Sequence, residues 1–260
     1  MISLSLLNFA AGAALAAEVG TAGSEEALVP FPIEWEMFTG FDYSVGDYGL
    51  SRETEVLYFP VALQVTVERF RARLTLPLLL LEGPTGFLPD TGGAGAFDAL
   101  DVESEFGLGQ LMLSGSYLFG NADSLFPFLE ATVRLVAPTE SKNELGPGLW
   151  SGALQLDAFD TFGRMTPFVR LGRRFYEGAE LDDRFYASVG ASVKVFRRAS
   201  VGLAYDWLEA TSGAVDDAHQ LTPFLSLRWA DRFRVGPYAI LGLSEGAPEW
   251  GIGCSFGVRL

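Results

Sequence analysis

The stretch Trp250–Leu260, WGIGCSFGVRL, carries the reading of the whole chain. Its even-numbered residues are Trp250, Ile252, Cys254, Phe256, Val258 and Leu260; its odd-numbered ones are Gly251, Gly253, Ser255, Gly257 and Arg259. A β-strand sends alternate side chains to opposite faces, so this segment has one apolar face and one small or charged face. A soluble barrel would bury the apolar set. A membrane barrel turns it toward lipid and keeps the polar set in the lumen. An arginine beside an apolar end suits the second arrangement.

Working outward, the chain after Glu34 divides into twelve alternating segments separated by turn chemistry. They run Glu34–Ser44, Thr54–Val65, Phe70–Leu81, Leu108–Phe119, Pro127–Ala137 and Leu149–Phe159. Thr166–Phe175, Phe185–Phe196, Ser200–Ala210, Leu221–Trp229, Phe233–Leu243 and Trp250–Leu260 follow. In the third, Phe70, Ala72, Leu74, Leu76, Leu78 and Leu80 oppose Arg71, Arg73 and Thr75. In the eighth, Ala187, Val189, Ala191, Val193 and Val195 oppose Ser188, Gly190, Ser192 and Lys194. Lengths of about ten residues suit a tilted strand crossing a bilayer.

The connections alternate too. Long acidic loops at Glu82–Glu105, Pro138–Gly148, Gly178–Arg184 and Thr211–His219 exchange with short turns at Glu68-Arg69, Arg197-Arg198 and Ala230–Arg232. Long outer loops, short periplasmic turns and an even strand count are the outer-membrane pattern. A soluble fold would have to bury Arg71, Arg73, Lys194, Arg228 and Arg259. The expected fold is therefore all-β: a transmembrane antiparallel β-barrel of about 12 strands, in the bacterial outer membrane of a Gram-negative cell.

Composition agrees. The 260 residues are 49% hydrophobic with a mean hydropathy of +0.23, and include 30 glycines and 21 phenylalanines, which favour strands and turns. No apolar run approaches the roughly 18 residues of a spanning helix. A net charge of −15 excludes a nucleic-acid partner, which needs a basic surface. Cys254 is the only cysteine, so no internal disulfide forms. Met1–Ala17 is expected to be a signal peptide, apolar up to the small-x-small site Ala14-Leu15-Ala16, although no basic residue follows Met1. Residues 18–33 form a polar lead-in and 34–260 the barrel.

The segments YFPVALQVTVERFRARLTLPLLLLEGP, FGLGQLMLSGSYLF, LDDRFYASVGASVKV, DDAHQLTPFLSLRWADRFRV and EWGIGCSFGVRL resemble outer-membrane transporter barrels of the "MetA-pathway of phenol degradation" type. The likeness covers nearly everything after Glu34. It implies a porin-like barrel with a transport role and carries over no site residue. Such barrels commonly end on an aromatic residue that the outer-membrane assembly machinery reads; here the last residue is Leu260.

No catalytic set is expected. The sole histidine, His219, follows Asp216-Asp217 in an expected surface loop, and no Gly-x-Ser-x-Gly elbow occurs. One histidine and one cysteine make no zinc site, and no cofactor is expected. The acidic loops, with Asp90, Asp98, Asp101, Glu103, Glu105, Glu180, Asp182 and Asp183, are read as solvated; bridging lipopolysaccharide through divalent cations is the other reading.

The informative surface is the inward face. Arg71, Arg73, Lys194, Arg228, Arg234 and Arg259 fall near the short-turn ends, with Arg134 and Arg170 further in. Glu130, Asp157 and Asp206 are their potential partners. Charged rings attract ions of opposite sign, so a passive channel for small, preferentially anionic solutes is one expectation. The others are a structural barrel plugged by Arg–carboxylate bridges, and uptake of small hydrophobic or aromatic compounds. Tyr58, Tyr186, Phe196, Phe224 and Tyr238 are expected to point inward and keep the last open.

Overall fold

A computed structural model describes residues 33–49, 52–84, 102–120, 127–139, 145, 148–178, 181–210, 216–230 and 232–260. The expected signal peptide and most of the lead-in lie outside the described residues. The strands are β1 (Ile33–Gly46), β2 (Thr54–Val67), β3 (Phe70–Pro84), β4 (Val102–Leu108), β5 (Leu111–Phe119), β6 (Phe128–Ala137) and β7 (Ser151–Phe159). After these come β8 (Met165–Tyr176), β9 (Arg184–Phe196), β10 (Ala199–Leu208), β11 (Ala218–Trp229), β12 (Phe233–Gly242) and β13 (Trp250–Arg259). Neighbours pair antiparallel, and β1 pairs with both β2 and β13, which closes the barrel.

Thirteen strands make twelve wall positions because β4 and β5 share one. β3 pairs with β4 over Leu78–Pro84 and with β5 over Phe70–Thr75. The expected single strand Leu108–Phe119 thus spans the break of a longer one, and within the expected loop Glu82–Glu105 the sheet takes in Glu82–Pro84 and Val102–Glu105, while 85–101 lie outside the described residues. Between the pieces, β3 presents Pro77, which has no N–H for the ladder. Gly109 bridges the break by donating to the Pro77 carbonyl at 3.0 Å. Thr139 ties the break to the next loop: its hydroxyl accepts from the Leu111 N–H at 2.7 Å and donates to the Gly109 carbonyl at 3.3 Å.

Burial sorts by strand parity. Leu154, Leu171, Val189 and Leu203 on the outside are each at least half exposed, while Gln220 and Thr222 on the inside are at 0%. Large apolar side chains outside and polar ones inside invert the soluble arrangement, and only a surrounding hydrocarbon phase makes that favourable. Cys254 lies on the outward face. His219 corrects its expected loop placement: it sits in β11, on the outward face, with Nδ1 2.6 Å from the Tyr205 hydroxyl.

The interior is layered. Toward the short turns, Leu118, Phe159, Phe168 and Ala204 pack with Phe128 and Phe224. The Phe128 and Phe159 rings stack at 5.7 Å. Toward the long loops, Tyr48, Val56, Tyr58, Leu79, Leu81, Met112 and Val136 enclose Leu145, which enters from the β6–β7 connection. A polar belt lies between them.

Candidate functional site: the charged lumen

Strand register builds the belt. Glu130, Asp157, Arg170, Ser188, Asp206 and Gln220 stand directly opposite one another across β6 to β11, in a single row around the inner wall. The row next to it toward the short turns begins Phe128, Phe159, Phe168. Charges therefore rest on a floor of phenyl rings. Glu130 and Asp157 are like charges on facing positions, an arrangement that repels unless each has its own cation. Arg71 reaches Glu130 at 3.2 Å and Arg170 reaches Asp157 at 2.6 Å. Gln155 adds a second hydrogen bond to Asp157 at 2.5 Å and in turn accepts from the Tyr186 hydroxyl at 3.1 Å.

Asp206 differs from its expected pairing with a basic side chain. It accepts from Ser188 at 2.5 Å, Thr222 at 3.0 Å and the Gln220 amide at 3.5 Å, all neutral donors. Arg73 lies 4.6 Å over the Phe38 ring, a cation–π contact strengthened by burial. On β1, Glu36 receives Arg234 at 3.3 Å, Arg259 at 3.8 Å and the Gln64 amide at 3.0 Å; Glu34 receives Arg259 at 3.6 Å. Arg134 and Arg228 are half-buried on the inward face, and Lys194 is exposed at its short-turn end. Of the aromatic residues expected inside, Tyr58 and Tyr238 are buried, whereas Phe196 is 72% exposed where β9 ends.

Besides Glu105, which β4 turns inward opposite Leu81 and which the sequence places in an acidic loop, sequence reasoning missed three inward charges. Asp42 accepts from Tyr238 at 2.6 Å. Arg174 donates to the Ser151 hydroxyl at 2.9 Å and lies over the Tyr176 ring. Arg184 is the first residue of β9 and is buried. Parity finds the first two, since Asp42 is in step with Glu36 and Arg174 with Arg170. Arg184 was lost because the segment was started one residue late.

Among the described residues, ten inward basic side chains (the eight expected, Arg174 and Arg184) face seven inward carboxylates: Glu34, Glu36, Asp42, Glu105, Glu130, Asp157 and Asp206. The described part of the inner face is thus net positive, although the whole chain is strongly acidic. Glycines allow close ring packing above it: the Tyr238 ring covers Gly253 and the Phe224 ring covers Gly202, where a Cβ would collide.

No protein-family model matches the sequence, and no curated protein matches it. Among solved structures, a COG4313 outer membrane channel from Pseudomonas putida F1 is similar at a TM-score of 0.64 and 17% identity, over 92% of this chain and 99% of that one. The KdgM porin in complex with disordered oligogalacturonate is similar at 0.49 and 11%, over 85% and 97%. The Pseudomonas putida toluene transporter TodX is similar at 0.43 and 10%, over 89% and 90%. The first of these likenesses is one of fold. With the apolar outer belt and polar interior, it makes this chain a β-barrel of the bacterial outer membrane.

Proposed function

We propose that this barrel is a channel for the passive diffusion of small solutes and that it favours anions. The observation supporting this is the net positive inner face, ten basic side chains against seven carboxylates among the described residues. Cations concentrated along a low-dielectric wall raise the local concentration of anions and repel cations. Arg71, Arg73, Arg134, Arg170, Lys194, Arg228, Arg234 and Arg259, with Glu130, Asp157 and Asp206, are the proposed pore-lining set. The resemblance to transporter barrels of the MetA-pathway type agrees with a transport role. The proposed surroundings are the lipid bilayer and lipopolysaccharide, reached through the outer-membrane assembly machinery.

Two observations favour other readings. The belt is densely bridged and buried, which suits a plugged, structural barrel. The apolar cluster around Leu145 at the long-loop end suits entry of small hydrophobic compounds. Planar-bilayer recording of the refolded protein separates them. Discrete steps selective for anions support the channel. Electrical silence from a folded, heat-modifiable barrel would replace it with the plugged reading.

A further inference from the structure

On the outward face between β6 and β10 the wall is dented into a groove of about 530 Å³. Strand register explains the dent. Val133, Leu154, Arg173 and Phe185 form one outward row; Ala131, Leu156, Leu171, Ala187 and Trp207 form the next, toward the short turns. The two alanines leave that second row low between large neighbours. Thr132, Gln155, Gly172 and Tyr186 belong to the inward parity, so their backbone forms the floor. Val133, Leu154, Leu156, Leu171, Phe185 and Trp207 are the walls. An apolar cavity of about 150 Å³ holds one benzene, so this groove has room for a hydrocarbon chain.

The long-loop edge of the groove is polar. Among the described residues, Arg173 is the only basic side chain of the strands that points outward. An outward arginine is strongly destabilising at the bilayer midplane and nearly neutral near the interface, which puts Arg173 at headgroup level. Its guanidinium lies 5.2 Å from the Phe175 ring and 5.0 Å from the Phe185 ring, and donates to Asp183 at 3.2 Å. Trp207 marks the same level. Its indole N–H donates to Asp217 at 3.0 Å while its side chain lines the groove, the two-sided placement of an interfacial tryptophan. The Arg173–Asp183 pair sets donors and an acceptor side by side without net charge. That matches the hydroxyls and amides of a sugar headgroup better than a bare phosphate.

We infer that the groove is a specific site for one lipopolysaccharide molecule of the outer leaflet, with one acyl chain in the groove and the sugar headgroup against Arg173, Asp183 and Trp207. The groove is continuous with the outward apolar belt, which already faces hydrocarbon, and the long loops put its polar edge in the outer leaflet. An unfilled groove would forfeit dispersion contacts along both walls. Inside a bilayer, packing and polar contact hold a partner, not escape from water, and this site offers both. The inference rests on the outer-membrane location and is independent of the channel reading.

The test is titration of the lipid-free refolded barrel with lipopolysaccharide, beside native mass spectrometry of the full-length barrel extracted from outer membranes in mild detergent. Wild type should bind lipopolysaccharide saturably at one to one. Ala131→Phe fills the groove yet keeps the face apolar, and should lose that binding. Ala239→Phe, on the outward face of β12 and away from the groove, is the matched control and should keep it. Arg173→Gln leaves the groove intact and should bind more weakly than wild type. Unboiled gel mobility establishes that each variant is folded. Failure of wild type to bind in the titration overturns the inference, as does undiminished binding by Ala131→Phe or Arg173→Gln. So does an extracted barrel that carries phospholipid in place of lipopolysaccharide, or a lipid-free pair of barrels joined at this face.

Discussion

Replacing Asp157 by Ala tests whether the Arg170–Asp157 pair in the inner wall is shielded from water. Arg170 and Asp157 are 3% and 9% exposed and meet at 2.6 Å. Removing one partner of a buried pair leaves an uncompensated charge and costs about 3–5 kcal/mol. Were the pair itself open to solvent, it would be worth at most about 1 kcal/mol. The control is Asp183→Asn, which removes the charge facing Arg173 at 3.2 Å, where the side chains are 34% and 45% exposed, but keeps an acceptor for the Tyr176 N–H; it should cost no more than about 1 kcal/mol. The double variant Asp157→Leu/Arg170→Met removes both charges and should recover most of the loss. Urea unfolding of the refolded barrel, followed by tryptophan fluorescence and unboiled gel mobility, measures all three. A cost below about 1 kcal/mol for Asp157→Ala would refute the description of the belt as buried.

Other substitutions probe other parts of the account. Tyr238→Phe deletes the 2.6 Å donor to buried Asp42 and should cost about 1–3 kcal/mol in the same unfolding assay. Gly202→Val sets a branched side chain against the Phe224 ring and should cost about 1–3 kcal/mol through overpacking. Leu156→Arg, on the outward face, should cost about 2–4 kcal/mol in bilayers if it lies near the midplane. In the connection before β11, the Ala210 N–H and the Trp207 indole hold the Asp217 carboxyl below its ordinary range. A lowered folded value gives a stabilisation that is full above the ordinary carboxylate value and is lost as pH falls through the folded one. Thermal scans should therefore show wild type losing an advantage over Asp217→Asn below about pH 4.

Much of this barrel was legible in parity. Phe70 to Leu80 against Arg71, Arg73 and Thr75 assigned the two faces of β3, and the structure buries that polar set. The break at Gly109-Gln110 was not legible, because it depends on Pro77, which lies opposite only after β3 and the β4–β5 wall are in register. β4 itself, VESEFGL, alternates well but sits inside a Gly/Asp-rich stretch that reads as loop. The ion pairs were beyond reach for a similar reason. Arg71 and Glu130 are 59 residues apart and lie on strands separated by β5. Parity puts both inside; only the stagger of the wall decides which carboxylate each guanidinium meets. Asp206 shows the limit, since facing hydroxyls and an amide replace the expected cation.

If inward charge sets the passage of ions through the proposed channel, the short-turn end is the place to change it. Lys194 is exposed and Arg228 half-buried there, so both accept substitution without a large folding penalty. The measurement is the reversal potential across a salt gradient for wild type and for Lys194→Glu/Arg228→Glu. Wild type should be anion-selective, and the variant should be displaced toward cations. A reversal potential identical in the two proteins would contradict the proposed role of inward charge.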